Sequence, residues 1–123
     1  MDWRTRTRSN REGMTEQAAP FKEVDLEGFK KLLDDGGYDV VDVRDYWEWD
    51  RGHIPQARHV FLDEILKDPE GHRFGDHTVF VCAVGNRSAI AAEMAVALGA
   101  KDVINFRGGT DAWRKAGLPL DKP

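Results

Sequence analysis

The chain has 123 residues, a net charge of −4, 41% hydrophobic and 33% charged residues. That length predicts one domain able to build its own core, and that composition excludes wholesale disorder. No apolar run reaches the ~20 residues of a membrane helix. The single cysteine, Cys82, excludes an internal disulfide, a thiol-rich zinc site and an iron–sulfur cluster, and it argues against a disulfide-stapled secreted scaffold. We therefore expect a cytoplasmic protein with no metal and no organic cofactor.

Residues 1–19 have no apolar periodicity and predict a disordered tail, with residues 20–123 forming the domain. The tail is rich in arginine (Arg4, Arg6, Arg8, Arg11) but has no hydrophobic stretch of the kind a secretory signal needs. Met1 and Met14 are both candidate starts. Because the tail holds these cations, the body is more acidic than the whole chain. It offers no basic surface to nucleic acid.

From Phe21 the pattern is regular. Phe21–Val24 predicts a short edge strand. Asp25 predicts an N-cap for a helix carrying Leu26, Phe29, Leu32 and Leu33 at helical spacing, closed by Gly36 and Gly37. Tyr38–Val43 reads as a central strand and Ala57–Val60 as a short one. Phe61–Lys67 reads as one or two helical turns, and the polar stretch Asp68–His77 as a loop. Thr78–Cys82 is a strand with a buried character. Arg87–Leu98 predicts a helix with Ile90, Met94, Ala97 and Leu98 on its inner face. Val103–Phe106 is a further strand, and Thr110 can cap a last helix, Asp111–Ala116. This alternation predicts an α/β domain with a mostly parallel sheet and helices on both faces. Ligands of such sheets lie beyond the carboxyl ends of the strands, where Cys82 falls.

The loop Cys82-Ala83-Val84-Gly85-Asn86-Arg87-Ser88 joins that strand to a helix. Gly85 permits a tight turn. A loop curling into a helix turns successive N–H groups inward and makes an anion-binding nest. Such a nest stabilises a thiolate or a persulfide, and Arg87 can turn its guanidinium toward the same anion. A lone cysteine at a strand end is ordinarily a small buried hydrophobe; Gly85, Arg87 and the helix start are what favour chemistry.

The loop resembles the active-site loop of rhodanese-like sulfurtransferases. Val41-Asp42-Val43-Arg44, Glu48 and Gly52-His53-Ile54-Pro55-Gln56-Ala57 resemble that family's first signature. Phe106-Arg107-Gly108-Gly109, Ala112-Trp113 and Gly117-Leu118-Pro119 resemble its carboxyl-terminal one. The resemblance spans about residues 21–120. It implies a rhodanese-like fold with a mostly parallel five-stranded sheet. It implies a sulfurtransferase in which Cys82 takes sulfane sulfur from a small anion such as thiosulfate, or from a persulfide. The Cys82 persulfide would then pass its outer sulfur to a thiol, a protein acceptor or cyanide. Ala83, Val84, Gly85, Asn86, Arg87 and Ser88 would form the substrate cradle. Asp42 and Arg44 would support the loop through hydrogen bonds, or form an ion pair that only holds the fold. Glu48 can pair with either arginine, and the Gly-His-Ile-Pro turn, His53 included, would organise structure.

Phosphatases that share the fold carry one more residue between cysteine and arginine. The four residues between Cys82 and Arg87 favour sulfur over phosphate. Two positions depart from the family pattern. Ala83 stands where thiosulfate-preferring members often carry a basic residue, and Gln56 where glycine is usual. The alternative function is a non-catalytic rhodanese module that binds or regulates a partner. Trp47 and Trp49 are expected on different faces, with at least one exposed near the loop, and Trp113 is expected to pack the last helix on the sheet.

Overall fold

Strand and helix alternate along the chain in the computed structural model, which describes residues 20–123. The expected tail, with its two candidate starts, lies outside the described residues. The elements are β1 (Lys22–Val24), α1 (Leu26–Asp35), β2 (Asp39–Asp42), α2 (Tyr46–Asp50), β3 (Arg58–His59) and α3 (Leu62–Lys67). They continue with a 3₁₀ turn (Glu70–His72), β4 (Thr78–Val81), α4 (Asn86–Ala97), β5 (Val103–Phe106) and α5 (Gly109–Lys115).

The strands form one sheet in the order β1-β5-β4-β2-β3. Every pairing is parallel, so the expected mostly parallel sheet is parallel throughout. Val41 stands opposite Phe80 in β4 and Arg58 in β3, and Phe80 stands opposite Asn105 in β5. After β2 the chain moves outward to β3, whereas after β4 it moves the other way. The crevice between β2 and β4 is therefore the switch point at which open parallel sheets hold ligands. Parallel strands share one carboxyl edge, so the segments after β2, β4 and β5 meet there.

The interior strands are covered on both faces and read as continuous apolar runs. Phe80 and Cys82 face one layer with Val41, Val43, Leu62, Ile65 and the α4 alanines. Val79 and Val81 face the other, with Phe29, Ile104, Phe106 and Trp113. Phe29 stacks on Phe106 at 4.2 Å between ring centroids and meets Trp113 edge-on at 5.8 Å. Trp113 thus packs α5 against the sheet, as expected, and its Nε1 donates to the Pro119 carbonyl at 2.7 Å.

Asp25 caps α1 by accepting from the Gly28 N–H. Three expectations change. Within the predicted loop 68–77, Asp68 accepts from the Gly71 N–H and a 3₁₀ turn forms. In α4 the buried face is Ser88, Ala91, Ala92 and Ala95, while Ile90 is 43% exposed. Only small side chains allow this helix to lie close against β4 and β5, so the larger ones are turned to the rim. Thr110 does not cap α5; the helix starts one residue before it, with Gly108 at the N-cap. The threonine is held inside the first turn because its N–H donates to the Cys82 carbonyl.

Candidate active site

Cys82 follows β4 and its side chain is fully buried. The Gly85 N–H donates to its Sγ at 3.1 Å. That approach requires a tight turn, and Gly85 takes φ +93°, in the left-handed region. A Cβ there would sit 2.4 Å from the Arg107 carbonyl oxygen. Gly109, at φ +64°, meets the other side of the loop, and its Cβ would fall 2.4 Å from the Cys82 and Ala83 carbonyl oxygens. The backbones after β4 and β5 are therefore pressed together. They are latched by Thr110 N–H to Cys82 O at 2.8 Å and Asp111 N–H to Ala83 O at 3.1 Å.

No side chain caps α4. The N–H groups of its first turn lack intrahelical acceptors and give the loop its positive end. Ala83 is half-buried, and Val84 and Asn86 are exposed at the loop tip.

Arg87 does not extend freely over the loop. Its two terminal nitrogens grip Glu48 at 2.7 and 2.9 Å. The Arg87 guanidinium holds the Glu48 carboxyl below the usual carboxylate range, and the arginine is raised in turn. Glu48 also accepts from the Asp45 N–H, closing a capping box at the start of α2. Of the two arginines available to Glu48, the fold selects Arg87. The pair joins the segment after β2 to the loop after β4.

Ser88 lies beneath the loop with its Oγ 3.3 Å from Cys82 Sγ and 2.5 Å from Asn105 Oδ1. A serine hydroxyl has one proton, and the shorter contact claims it. Ser88 then offers the thiol a lone pair, and the hydroxyl must rotate to donate to a thiolate. Asn105 cannot flip to relieve this, because its Nδ2 donates to Glu23 Oε2 at 2.9 Å and to the Gly85 carbonyl at 3.1 Å.

Asp42 and Arg44 are both buried. Arg44 Nε donates to both Asp42 oxygens at 3.0 Å, and its Nη2 lies 2.9 Å from Asp42 Oδ2 and donates to the Gly52 carbonyl at 2.9 Å. These bonds fix the turn after β2. Among the described residues, none of them reaches the Cys82 loop. That turn carries a ring stack in which Trp49 lies flat on His53, centroids 3.4 Å apart, and close to parallel with His59 at 4.9 Å. His53 is thus built into the framework, as is His59, whose Nε2 lies 2.6 Å from the Arg44 carbonyl. Trp47 projects away, 60% exposed.

Beside Ala83 a cleft of about 480 Å³ opens between the segments after β2, β4 and β5. Trp47, Arg51 and Arg44 line one side, Thr110 and Arg114 the other, and Lys122 comes from the carboxyl-terminal segment. The Thr110 hydroxyl is buried and has no hydrogen-bond partner among the described residues. Burying such a group unpaired costs about 1–3 kcal/mol.

Reading the sequence singled out neither Asn105 nor Lys122, and Thr110 only as a helix cap. Asn105 had a signal, an amide within the otherwise apolar strand Val103–Phe106. The other two are drawn in by contacts distant in sequence.

The rhodanese-like domain family model matches residues 25–116. A protein of Bacillus subtilis (strain 168), provisionally named sulfur carrier protein YrkF, is 34% identical over 86% of this chain, and the chain spans 58% of that relative's length. Thiosulfate sulfurtransferase GlpE of Pseudomonas putida (strain GB-1) is 35% identical over 76% of this chain and 86% of its own. Among solved structures, the human single-domain sulfurtransferase TSTD1 superposes with a TM-score of 0.66 at 27% identity, over 80% of this chain and 97% of its own. The parallel sheet, the cysteine loop at its switch point and the extent of the family match lead to one conclusion: this chain belongs to the rhodanese-like domain family.

Proposed function

We propose that the protein is a sulfurtransferase that carries sulfane sulfur on Cys82. The observation that bears most weight is the environment of Cys82 Sγ, with the Gly85 N–H on it and the uncapped amino end of α4 above it. An anionic sulfur gains from both. The sulfurtransferase names of the relatives support the same reading.

With thiosulfate as donor, the Cys82 thiolate attacks the outer sulfur. The S–S bond of the donor breaks, sulfite leaves with the electron pair, and a Cys82 persulfide remains. A thiolate or cyanide then attacks the outer persulfide sulfur and restores the Cys82 thiolate. Neither step needs an external oxidant, and neither needs a general base when the attacking group is already ionised. Ala83 to Ser88 form the cradle, with Gly85 as the donor nearest sulfur. Arg87 acts with Glu48 as a strut of the loop and contributes positive charge at its edge. Asp42 and Arg44 act one step away, by fixing the turn that carries Glu48.

A second reading, a rhodanese module that binds a partner without turnover, draws support from the complete burial of Cys82. Intact-protein mass decides between them. The protein is incubated with thiosulfate or a small persulfide, weighed, and weighed again after cyanide. The enzyme reading expects a gain of one sulfur that cyanide removes and that Cys82→Ser lacks. No gain from any donor overturns it in favour of the module.

A further inference from the structure

Asn105 is a polar residue in the otherwise apolar β5, and it is fully buried. The strand register explains its company. Glu23 of β1 stands opposite Asn105, and Asn105 stands opposite Phe80 of β4. Side chains alternate along a strand, so Glu23 and Asn105 share the face on which Phe80 and Cys82 meet α4. Four side chains then form one chain of hydrogen bonds. Asn105 Nδ2 donates to Glu23 Oε2 at 2.9 Å, Ser88 Oγ lies 2.5 Å from Asn105 Oδ1, and Cys82 Sγ lies 3.3 Å from Ser88 Oγ.

The direction of this chain is fixed. The Asn105 nitrogen has two protons, and Glu23 and the Gly85 carbonyl take both. Its oxygen can only accept, so Ser88 gives its single proton to Asn105 and turns a lone pair toward Sγ. A thiol suits that lone pair by donating its S–H. A persulfide tolerates it, because the charge sits on the outer sulfur. A thiolate does not, since Ser88 can donate to it only by leaving Asn105. Glu23 reinforces the hold: its carboxylate polarises the amide and makes the Asn105 oxygen a better acceptor. The Gly85 N–H and the amino end of α4 favour either anion, whereas Ser88 distinguishes the free thiolate from the loaded sulfur.

We propose that Asn105 and Glu23 are positioning residues for sulfur transfer: by holding the Ser88 proton away from Cys82 Sγ, they disfavour the free thiolate and bias Cys82 toward its sulfur-loaded form. The proposal rests on the sulfur-transfer reading for its chemistry. In that step the thiolate takes the outer sulfur of thiosulfate, the donor S–S bond breaks, and sulfite leaves with the electron pair. Charge is conserved and no further reactant is needed. Destabilising the thiolate alone draws this equilibrium toward the persulfide.

Cys82 is the only cysteine, so alkylation by iodoacetamide, read by mass across pH, follows its thiolate directly. Glu23 is exposed, so Glu23→Ala perturbs the chain from outside the core, and Asn105→Ala perturbs it at the centre. Half-maximal alkylation should move to lower pH than in wild type, by about half a pH unit in Glu23→Ala and about one in Asn105→Ala. Glu23→Gln keeps an acceptor without the charge and should fall between wild type and Glu23→Ala. In a Ser88→Ala background neither alanine substitution should move the profile, because the chain no longer reaches sulfur. Glu48 and Arg87 stay charged in neutral and alkaline solution, with the carboxyl held low and the guanidinium raised, so they do not contribute to it. In a fixed mixture of thiosulfate and sulfite, above every alkylation midpoint, the ratio of loaded to free protein should fall about three-fold in Glu23→Ala and about ten-fold in Asn105→Ala. An unchanged alkylation profile in both variants, or a shift that survives in Ser88→Ala, overturns the positioning and leaves the sulfur-transfer reading standing wherever wild type loads. A shifted profile with a wild-type loading ratio overturns the bias. A Ser88-dependent shift in a protein that takes no sulfur from any donor supports the positioning and overturns the sulfur-transfer reading.

Discussion

Gly85→Ala offers the sharpest test of how the cysteine loop is built. At φ +93° an L side chain is strained by about 1–2 kcal/mol. The new Cβ would also stand 2.4 Å from the Arg107 carbonyl oxygen, with the Arg107 carbonyl carbon and Cα at 3.1 Å. Those are backbone atoms, and the Arg107 N–H is tied to the Val24 carbonyl at 3.0 Å, so they cannot yield without disturbing the β1–β5 edge. Forced overpacking of this kind adds about 1–3 kcal/mol. The total of about 2–5 kcal/mol is a large share of a domain stability of roughly 5–15 kcal/mol. Gly99→Ala separates the two causes, since Gly99 has φ +103° but nothing within 4 Å of a Cβ, and it should lose only about 1–2 kcal/mol. Urea denaturation of the three proteins measures this. Because Gly85 N–H is the donor on Cys82 Sγ, sulfur loading of Gly85→Ala should also fall more than that of Gly99→Ala. Equal midpoints for the two variants, with wild-type loading in both, would refute the packing argument.

Glu48→Gln removes a two-point ion pair with one third of Arg87 exposed, so it should cost about 1 kcal/mol. The folded Glu48 carboxyl titrates below its ordinary 4.5, so its stabilisation is present above that value and lost as pH falls through the lower folded one. The gap between wild type and Glu48→Gln in urea midpoint should therefore narrow as pH falls below 4.5, and a gap that stays as wide in acid as at pH 7 would contradict the assignment. Thr110→Val replaces an unpartnered buried hydroxyl with a methyl group. It should be neutral or stabilising by up to about 1 kcal/mol; a loss of stability would mean that the hydroxyl has a partner. Asn105→Ala strands the Gly85 carbonyl and releases the Ser88 proton from its 2.5 Å contact, at a cost of about 2–3 kcal/mol. The variant should shift the pH profile of Cys82 alkylation by iodoacetamide, a change that loss of packing alone would not produce.

What the sequence exposed is what depends on near neighbours. Asp25 capping α1, glycine at the left-handed Gly85, the apolar strand ending in Cys82 and the spacing from Cys82 to Arg87 are all legible within a few residues, because backbone conformation and helix or strand periodicity are local. The family motifs extended this to a mostly parallel sheet of five strands. The face of α4 was not legible in the same way. Alanine occurs around much of that helix, so periodicity alone does not choose its inner side, and the closeness of β4 and β5 does.

The choice of Arg87 over Arg44 as the partner of Glu48 spans 39 positions, and that of Asn105 for Ser88 spans 17. Neither is encoded in a local pattern. Arg44 is removed from the competition because Asp42, two residues away, is buried with it. Thr110 carries a capping residue's chemistry, yet the latch to the Cys82 carbonyl draws it into the helix and leaves its hydroxyl facing no partner. Lys122 reaches the cleft only through the Asp121–His53 bridge. The sequence by itself determined most of the elements, their order along the chain and the position of Cys82 at a strand end. Tertiary structure alone decided which charges cancel one another, because pairing is set by distances through space, and the parallel sheet brings the segments after β2, β4 and β5 to a single edge.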